Sequence, residues 1–228
     1  MQHRLTTRKG KLLASFVLAL PLTIYGQNPP EYPYQISYAS NLNLGDSVVN
    51  VTNSGASAGS NVPIVDANTY GDICANIYVY APDRELAICC TCLVSPNSLH
   101  SWPISFGPGN LLTNVPEGGA LSSIRATHSV VIKLLATTAA GAGATLNDSC
   151  PHPSAPLGLA IGMTAWATHA HPTNTSQAAI TETLFAPASV SSGELGRLTG
   201  DCSSTIIRGQ QAPPCPGCRT GGLATPSF

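Results

Sequence analysis

Cysteine carries the clearest chemistry in this sequence. Five of the eight cysteines lie in two short blocks, Cys-Cys-Thr-Cys at 89–92 and Cys-Pro-Gly-Cys at 215–218. Thiolates at Cys-x-x-Cys spacing can hold zinc or an iron–sulfur cluster, and at a helix N-terminus they can exchange disulfides. An even number of cysteines in an exported protein instead predicts disulfides. The full set is Cys74, Cys89, Cys90, Cys92, Cys150, Cys202, Cys215 and Cys218.

The N-terminus favours the disulfide interpretation. Residues 1–26 combine a basic head, an apolar run of about a dozen residues and a small residue at Gly26, which is typical of a secretory signal peptide. Export places thiols in an oxidising compartment, which disfavours free thiolates and a metal centre built on them. The Cys-Pro-Gly-Cys block lies in a tail without a following helix, so redox activity is also disfavoured. We therefore predict a secreted or cell-surface protein with a disulfide framework and no cofactor.

Strand geometry restricts the pairing of these cysteines, although eight of them allow 105 connectivities. Neighbouring side chains on a strand point to opposite faces, so Cys89 and Cys90 should have different partners. A bridge from Cys74 to Cys89 or Cys90 could close a hairpin. Cys202 could fasten a C-terminal helix to a sheet, and the Cys-Pro-Gly-Cys block could tie down the tail.

Three histidines form the next candidate site. His169 and His171 lie two residues apart on a predicted strand and share one face, while His152 lies in a Pro-rich loop. Imidazoles are ligands for zinc and copper, so the three could hold a metal ion. No further ligand has a fixed spacing to these histidines. The sequence therefore favours the alternative that they are polar residues at the end of a strand rather than metal ligands.

Catalytic motifs are scarce. Gly45-Asp46-Ser47 is similar to the nucleophile block of lipolytic hydrolases, but the Asp-x-x-His partner is matched only by Asp148 and His152, with one residue too many between them. The chain has no Gly-x-Ser-x-Gly, no His-Glu-x-x-His and no phosphate-binding loop. The sequence therefore favours a protein without enzymatic activity.

Two aromatic groups could bind partners. His100, Trp102 and Phe106 share a Pro-punctuated segment predicted as a surface loop, where rings can stack on sugars, although a Trp in a loop commonly caps the core. Tyr34 and Tyr38 lie on an N-terminal strand that can complete its own sheet or add to a neighbour's edge. The first group predicts a glycan site, and the second predicts self-association.

Charged residues are few, at 9% of the chain, against about a quarter in typical globular domains. Removal of residues 1–26 would take four of the ten basic residues and none of the eleven acids, so six against eleven leaves a net charge of −5. No basic patch remains for nucleic acid, and no second apolar run is long enough to span a membrane.

Alternating and β-branched segments predict six or seven strands. The clearest are residues 73–82 and 85–94, which should form a hairpin through a Pro-Asp-Arg turn. Residues 128–138, 157–171 and 179–185 are further strands. Because strands do not alternate with helices, the predicted fold class is mainly β, an antiparallel β-sandwich.

One helix is predicted near the C-terminus. Ser191 and Glu194 form a capping box, and apolar residues at helical spacing follow. The fold therefore ends in one C-terminal helix and a disulfide-tied tail. The predicted organisation is a signal peptide at 1–26, a leader and strand at 27–39, the sandwich at 40–190, and the helix with its cysteine-rich tail at 191–228.

The segment ICANIYVYAPDRELAICCTCLVSPNSL resembles a group of exported, cysteine-rich bacterial proteins of acidobacterial type. The shared pattern is an Ile-Cys-x-Asn-x-Tyr strand, a Pro-Asp turn, a Cys-Cys-x-Cys-x-Val-x-Pro-Asn block and a Glu-Leu-x-x-Leu-Thr helix that leads to further cysteines. The resemblance covers most of the chain after the signal peptide. It implies an exported, cysteine-stapled domain and carries over no catalytic residue.

The expected function follows from export, low charge and the N-terminal strand. We expect a disulfide-stabilised extracellular protein with a structural, adhesive or self-assembling role. A secreted polysaccharide-binding module is one alternative, and a secreted metalloprotein or hydrolase is another.

Overall fold

Strands dominate the chain. The computed structural model describes residues 32–44, 47–57, 71–139, 150–156, 158–173, 178–207, 214–216 and 218, so the predicted signal peptide lies outside the described residues. No helix within these ranges is long and apolar enough to cross a membrane. The described elements are β1 (Tyr34–Ala39), β2 (Ser47–Asn53), β3 (Ile73–Tyr80), β4 (Leu86–Val94), β5 (Leu99–Ile104), a 3₁₀ helix (Leu111–Asn114), α1 (Gly119–Thr127), β6 (Val130–Thr138), β7 (Met163–Pro172), β8 (Ala178–Leu184), β9 (Ala186–Ala188) and α2 (Ser192–Ile207).

The strands form two antiparallel sheets. Sheet A has the order β4-β3-β6-β1-β9, and sheet B has the order β5-β2-β7-β8. The predicted hairpin is present as β3 and β4, with Arg84 in the turn at a φ of 73°. The antiparallel β-sandwich with a C-terminal helix and a disulfide-tied tail is confirmed.

The main core lies between the two sheets. Val49 and Val51 of β2 are fully buried, and the register pairs them with Ala167 and Ala165 of β7. These side chains pack with the inward residues of β3 and β6 and with Trp102 of β5. β3 is buried on both faces, since a second apolar cluster covers the outer side of sheet A. Burial on both faces explains its continuous apolar sequence.

Four disulfides join all eight cysteines. Cys89 and Cys90 have different partners, as alternation along a strand predicts, and the predicted fastening of the helix and the tail is confirmed. The expected bridge from Cys74 to Cys89 or Cys90 is wrong, because the register places Cys74 opposite Leu93. The pairs are Cys74–Cys150, Cys89–Cys202, Cys90–Cys215 and Cys92–Cys218.

β5 and α1 differ from the sequence expectations. Residues 99–104 form β5 rather than a loop, and this strand tolerates Pro103 because its only pairing among the described residues is with β2. The sequence does not predict α1, because Gly118 supplies no side-chain cap and only three of the nine residues of the helix are buried. β1 lies in sheet A between β6 and β9, so the N-terminal strand completes its own sheet, one of the two outcomes that the sequence allowed.

Candidate binding surface

The outer face of sheet A is covered by two segments. α2 packs Leu195 and Leu198 onto the tyrosines of this face, and Cys202 bonds the helix to Cys89 of β4. Residues 150–156 are held nearby, because the Tyr78 hydroxyl donates a hydrogen bond of 2.8 Å to the carbonyl of Pro153. The covered face therefore offers little surface to a ligand.

A charged network fixes the first turn of α2 to sheet A. The Glu194 amide donates to Ser191 Oγ at 3.1 Å, which is the predicted capping contact. The Glu194 carboxylate accepts hydrogen bonds from Tyr34 Oη at 3.0 Å and Lys133 Nζ at 2.6 Å, and it also pairs with Arg197. Burial alone would raise the pKa of Glu194, but these three partners lower it to about 2. The ion pair between Glu194 and Lys133 therefore fastens the start of α2 to β6 of sheet A.

The outer face of sheet B carries a chain of hydrogen-bonded side chains across all four strands. Ser101 Oγ of β5 donates to Asn50 Oδ1 of β2 at 2.7 Å. Asn50 Nδ2 donates to Thr168 Oγ1 of β7 at 2.9 Å, and this hydroxyl donates to Glu182 Oε1 of β8 at 3.3 Å. These groups are oriented before any ligand arrives, which reduces the entropy that binding must remove.

Apolar side chains flank this polar chain. The register places Trp166 of β7 between Asn50 and Leu184 of β8 on the same face. Trp166 is half-buried, whereas Leu184 is 75% exposed and Ile180 is 61% exposed. We call this surface the sheet B platform, defined by Asn50, Ser101, Trp166, Thr168, Ile180, Glu182 and Leu184.

The sheet B platform has the chemistry of a sugar-binding surface. An indole face and aliphatic side chains can pack against the C–H faces of a sugar ring, and the hydroxyl and carboxylate groups can bond its hydroxyls. Glu182 is the only charged residue of the platform. The surface therefore suits an uncharged ligand better than an anionic polymer.

The predicted aromatic site around His100 does not form an exposed cluster. Trp102 is buried in the core opposite Val49, with its ring stacked on His100 at a centroid distance of 5.7 Å. Phe106 is exposed and receives the Arg125 guanidinium 5.9 Å from its ring centroid. Trp102 thus caps the core, the alternative that the sequence also allowed, and offers no face to a ligand.

The N-terminal strand is enclosed in its own sheet. β1 pairs with β6 along its whole length on one side, and its first three residues pair with β9 on the other. Tyr34 is buried against α2 and Tyr38 is 71% exposed. Self-association through this strand would require it to leave sheet A.

Two of the predicted metal-site histidines lie together on β7. Their rings are 6.3 Å apart between centroids. His169 Nδ1 lies 2.6 Å from Ser47 Oγ and its Nε2 lies 3.3 Å from Thr183 Oγ1. His171 Nε2 lies 3.1 Å from Thr181 Oγ1. Burial, and then the nearby His171, lower the pKa of His169, which keeps its imidazole neutral at pH 7.

The third histidine lies on the other sheet. His152 belongs to the segment held against sheet A, and its Nδ1 is 2.7 Å from Ser154 Oγ. The described part of the chain contains no group of three His, Cys, Asp or Glu residues arranged to hold a metal ion. The structure thus separates His152 from His169 and His171.

Ser47 and His169 have the separation of a nucleophile and its base, but not the surroundings. Ser47 is only 3% exposed, and the second nitrogen of His169 meets the Thr183 hydroxyl rather than a carboxylate. A nucleophile must reach its substrate and needs an oriented base. Asp148, the acid weighed for this motif, lies outside the described residues. The hydrogen bond therefore serves to join β2 to β7.

Sequence reasoning missed Trp166, the central residue of the sheet B platform. Its neighbours Ala165 and Ala167 are small and fully buried, while Trp166 points outward. A large aromatic residue that alternates with alanines is the signal that could have identified it, because the small side chains fit the closely packed interior.

The fold and its cross-links define the class of protein, a disulfide-stabilised antiparallel β-sandwich. Four disulfides are typical of proteins in an oxidising, extracellular environment. No family model, curated protein or solved structure matches the chain. The resemblance to exported acidobacterial proteins therefore stays a prediction from the sequence.

Proposed function

We propose that this protein is an extracellular adhesion domain that binds neutral polysaccharide through the sheet B platform. The observation that carries the proposal is the presence of Trp166, Ile180 and Leu184 on a solvent-facing sheet surface beside a pre-ordered polar chain. The proposal combines the predicted adhesive and glycan-binding roles. It moves the binding surface from the side chains of His100, Trp102 and Phe106 to the sheet B platform.

Charge supports a neutral polysaccharide over other polymers. The chain after residue 26 carries a net charge of −5, and Glu182 places a carboxylate on the platform itself. Nucleic acids and acidic polysaccharides would be repelled. A neutral sugar polymer instead gains stacking on Trp166 and hydrogen bonds to Thr168 and Glu182, which Asn50 holds in place from the buried side.

Retention on insoluble polysaccharide tests the proposal. Wild-type protein should be retained on at least one neutral polymer, cellulose or chitin, and washed off an acidic polyuronate. Trp166→Ala should reduce retention about tenfold, a loss of about 1.4 kcal/mol, because the stacking surface is removed. The fold is monitored through the denaturant midpoint, which a half-buried surface residue should change little.

The matched control is Tyr38→Ala, which removes an exposed aromatic ring from sheet A. Its retention should equal that of the wild type. Equal losses in both variants would show non-specific aromatic adsorption, and a wild type that binds neither neutral polymer would refute the proposal.

A further inference from the structure

Both edges of sheet A carry features that hinder the addition of a further strand. At β4, the tail forms a parallel bridge in which Pro214 lies beside Thr91, and the Cys215 amide donates to the Thr91 carbonyl at 3.1 Å. Two disulfides hold the tail there. At the other edge, β9 has three residues and contains Pro187, which lacks an N–H donor.

Sheet B has one long open edge, β8. The opposite edge strand, β5, contains Pro103. Among the described residues, β8 pairs only with β7, and every side chain from Ala179 to Leu184 is exposed. The outer edge of this seven-residue strand, beside exposed aliphatic side chains, is a template for another strand.

The hydrogen bonds of β7 show which backbone groups are open. The Phe185 amide donates to the Ala165 carbonyl at 3.0 Å, and the two residues are opposite each other in the register. In an antiparallel pair, alternate residues bond the same neighbour. The N–H and C=O groups of Ile180, Glu182 and Leu184 therefore point away from β7, towards the open edge.

A second copy of β8 fits this edge in one register. Around a two-fold axis at Thr181, residues 178–184 pair in full, with Ile180 opposite Glu182 and Thr181 opposite itself. A register centred on Glu182 would place two carboxylates directly opposite each other, which is destabilising. A register centred on Ile180 would leave Leu184 beyond the start of the partner strand. Full overlap and charge separation thus select the Thr181-centred register.

We propose that the protein forms a two-fold dimer by antiparallel pairing of β8 with β8 in this register. The two four-stranded sheets become one eight-stranded sheet, and the outer faces of both copies lie on the same side. Two seven-residue strands give an interface below the roughly 1,200 Å² of stable complexes, so the dimer is weak and reversible. Two platforms on one surface would increase avidity for a polymer, although the dimer does not depend on that ligand.

Cysteine substitution in the full exported chain tests the register. In Thr181→Cys, the two new thiols lie in a non-hydrogen-bonded pair with a Cα separation of about 4.5 Å, within the range for a disulfide. In Thr183→Cys, the thiols lie about 14 Å apart, because residue 183 faces residue 179 of the partner. Each variant loses one hydrogen bond to a histidine of β7, so the pair is matched.

The readout is covalent dimer after mild oxidation of the folded protein, with the 181–181 cross-link identified by peptide mass. Thr181→Cys should cross-link, and Thr183→Cys should give at least about fivefold less dimer. Equal cross-linking, or none in either variant, overturns the proposal. If Thr181→Cys fails to fold, sedimentation of the wild type decides the matter, since a monomer at every concentration overturns it. Neither result bears on polysaccharide retention, which is measured separately.

Discussion

The two outer faces of the sandwich are built for different tasks. The outer face of sheet A lies under α2 and the segment around Pro153, with a disulfide at each and the Glu194 network at the start of the helix. The outer face of sheet B has no such cover on Leu184 and Ile180, and its polar groups bond one another across four strands. The cross-links are therefore concentrated on sheet A, and an exposed surface is left on sheet B, where we propose that polysaccharide binds.

This difference explains how a chain with so few charges remains folded and still presents apolar surface. Covalent links and a half-buried ion pair hold sheet A, so sheet B does not need a covering helix to stay in place. The hydrogen-bonded chain from Ser101 to Glu182 orients the polar side chains of the open face. Rigid side chains on a sheet are better suited to repeated sugar units than side chains on a loop.

The largest expected effect comes from releasing the helix from sheet A. Cys89→Ala with Cys202→Ala removes a link across 113 residues without leaving a free thiol. We expect a loss of about 2–5 kcal/mol in the free energy of unfolding, since the unfolded chain regains the freedom that the link removed. Denaturant titration measures it. An unchanged midpoint would show that the cover on sheet A does not need this staple.

A smaller loss is expected from the charged network under the same helix. Glu194→Gln keeps the capping geometry but leaves Lys133 half-buried without its charge partner, at a cost of about 2 kcal/mol at pH 7. Because the folded pKa of Glu194 lies near 2, below its ordinary value of 4.5, its contribution is present above pH 4.5 and is lost as the pH falls towards 2.

Unfolding curves at several pH values check this network. The difference between wild type and Glu194→Gln should shrink between about pH 5 and pH 2. A difference that stays constant over this range would mean that the lost stability comes from packing rather than from charge.

Local signals predicted the elements of sheet A well. Strand alternation and the Pro-Asp turn located the β3–β4 hairpin, and the Ser191–Glu194 capping box located α2. The prediction that Cys89 and Cys90 have different partners followed from the alternation of side chains between the two faces of a strand. These features depend on residues close together in the sequence, which is why a single chain is enough to predict them.

The parts that failed depend on distant residues. The partner of Cys74 is 76 residues away, and the burial of Trp102 depends on its position opposite Val49 in another strand. The sheet B platform was missed for the same reason, because alternation marks two faces of a strand without saying which faces solvent. Only the packing of Ala165 and Ala167 into the core between the two sheets assigns Trp166 to the open side.

The smallest effect on stability is expected at Leu184, and it compares the two faces with one substitution. Leu184→Thr removes an aliphatic side chain that is 75% exposed, so the free energy of unfolding should change by less than about 0.5 kcal/mol while cellulose or chitin retention falls severalfold. Leu198→Thr makes the same change on the face of α2 that packs against sheet A, where the side chain is fully buried. It should lower the free energy of unfolding by about 2–4 kcal/mol, with retention preserved in the folded fraction.

Equal stability losses would mean that the outer face of sheet B is covered in solution, as a partner strand or a masking segment would cover it. Concentration dependence of the Leu184→Thr effect would then assign the cover to a second copy of the chain.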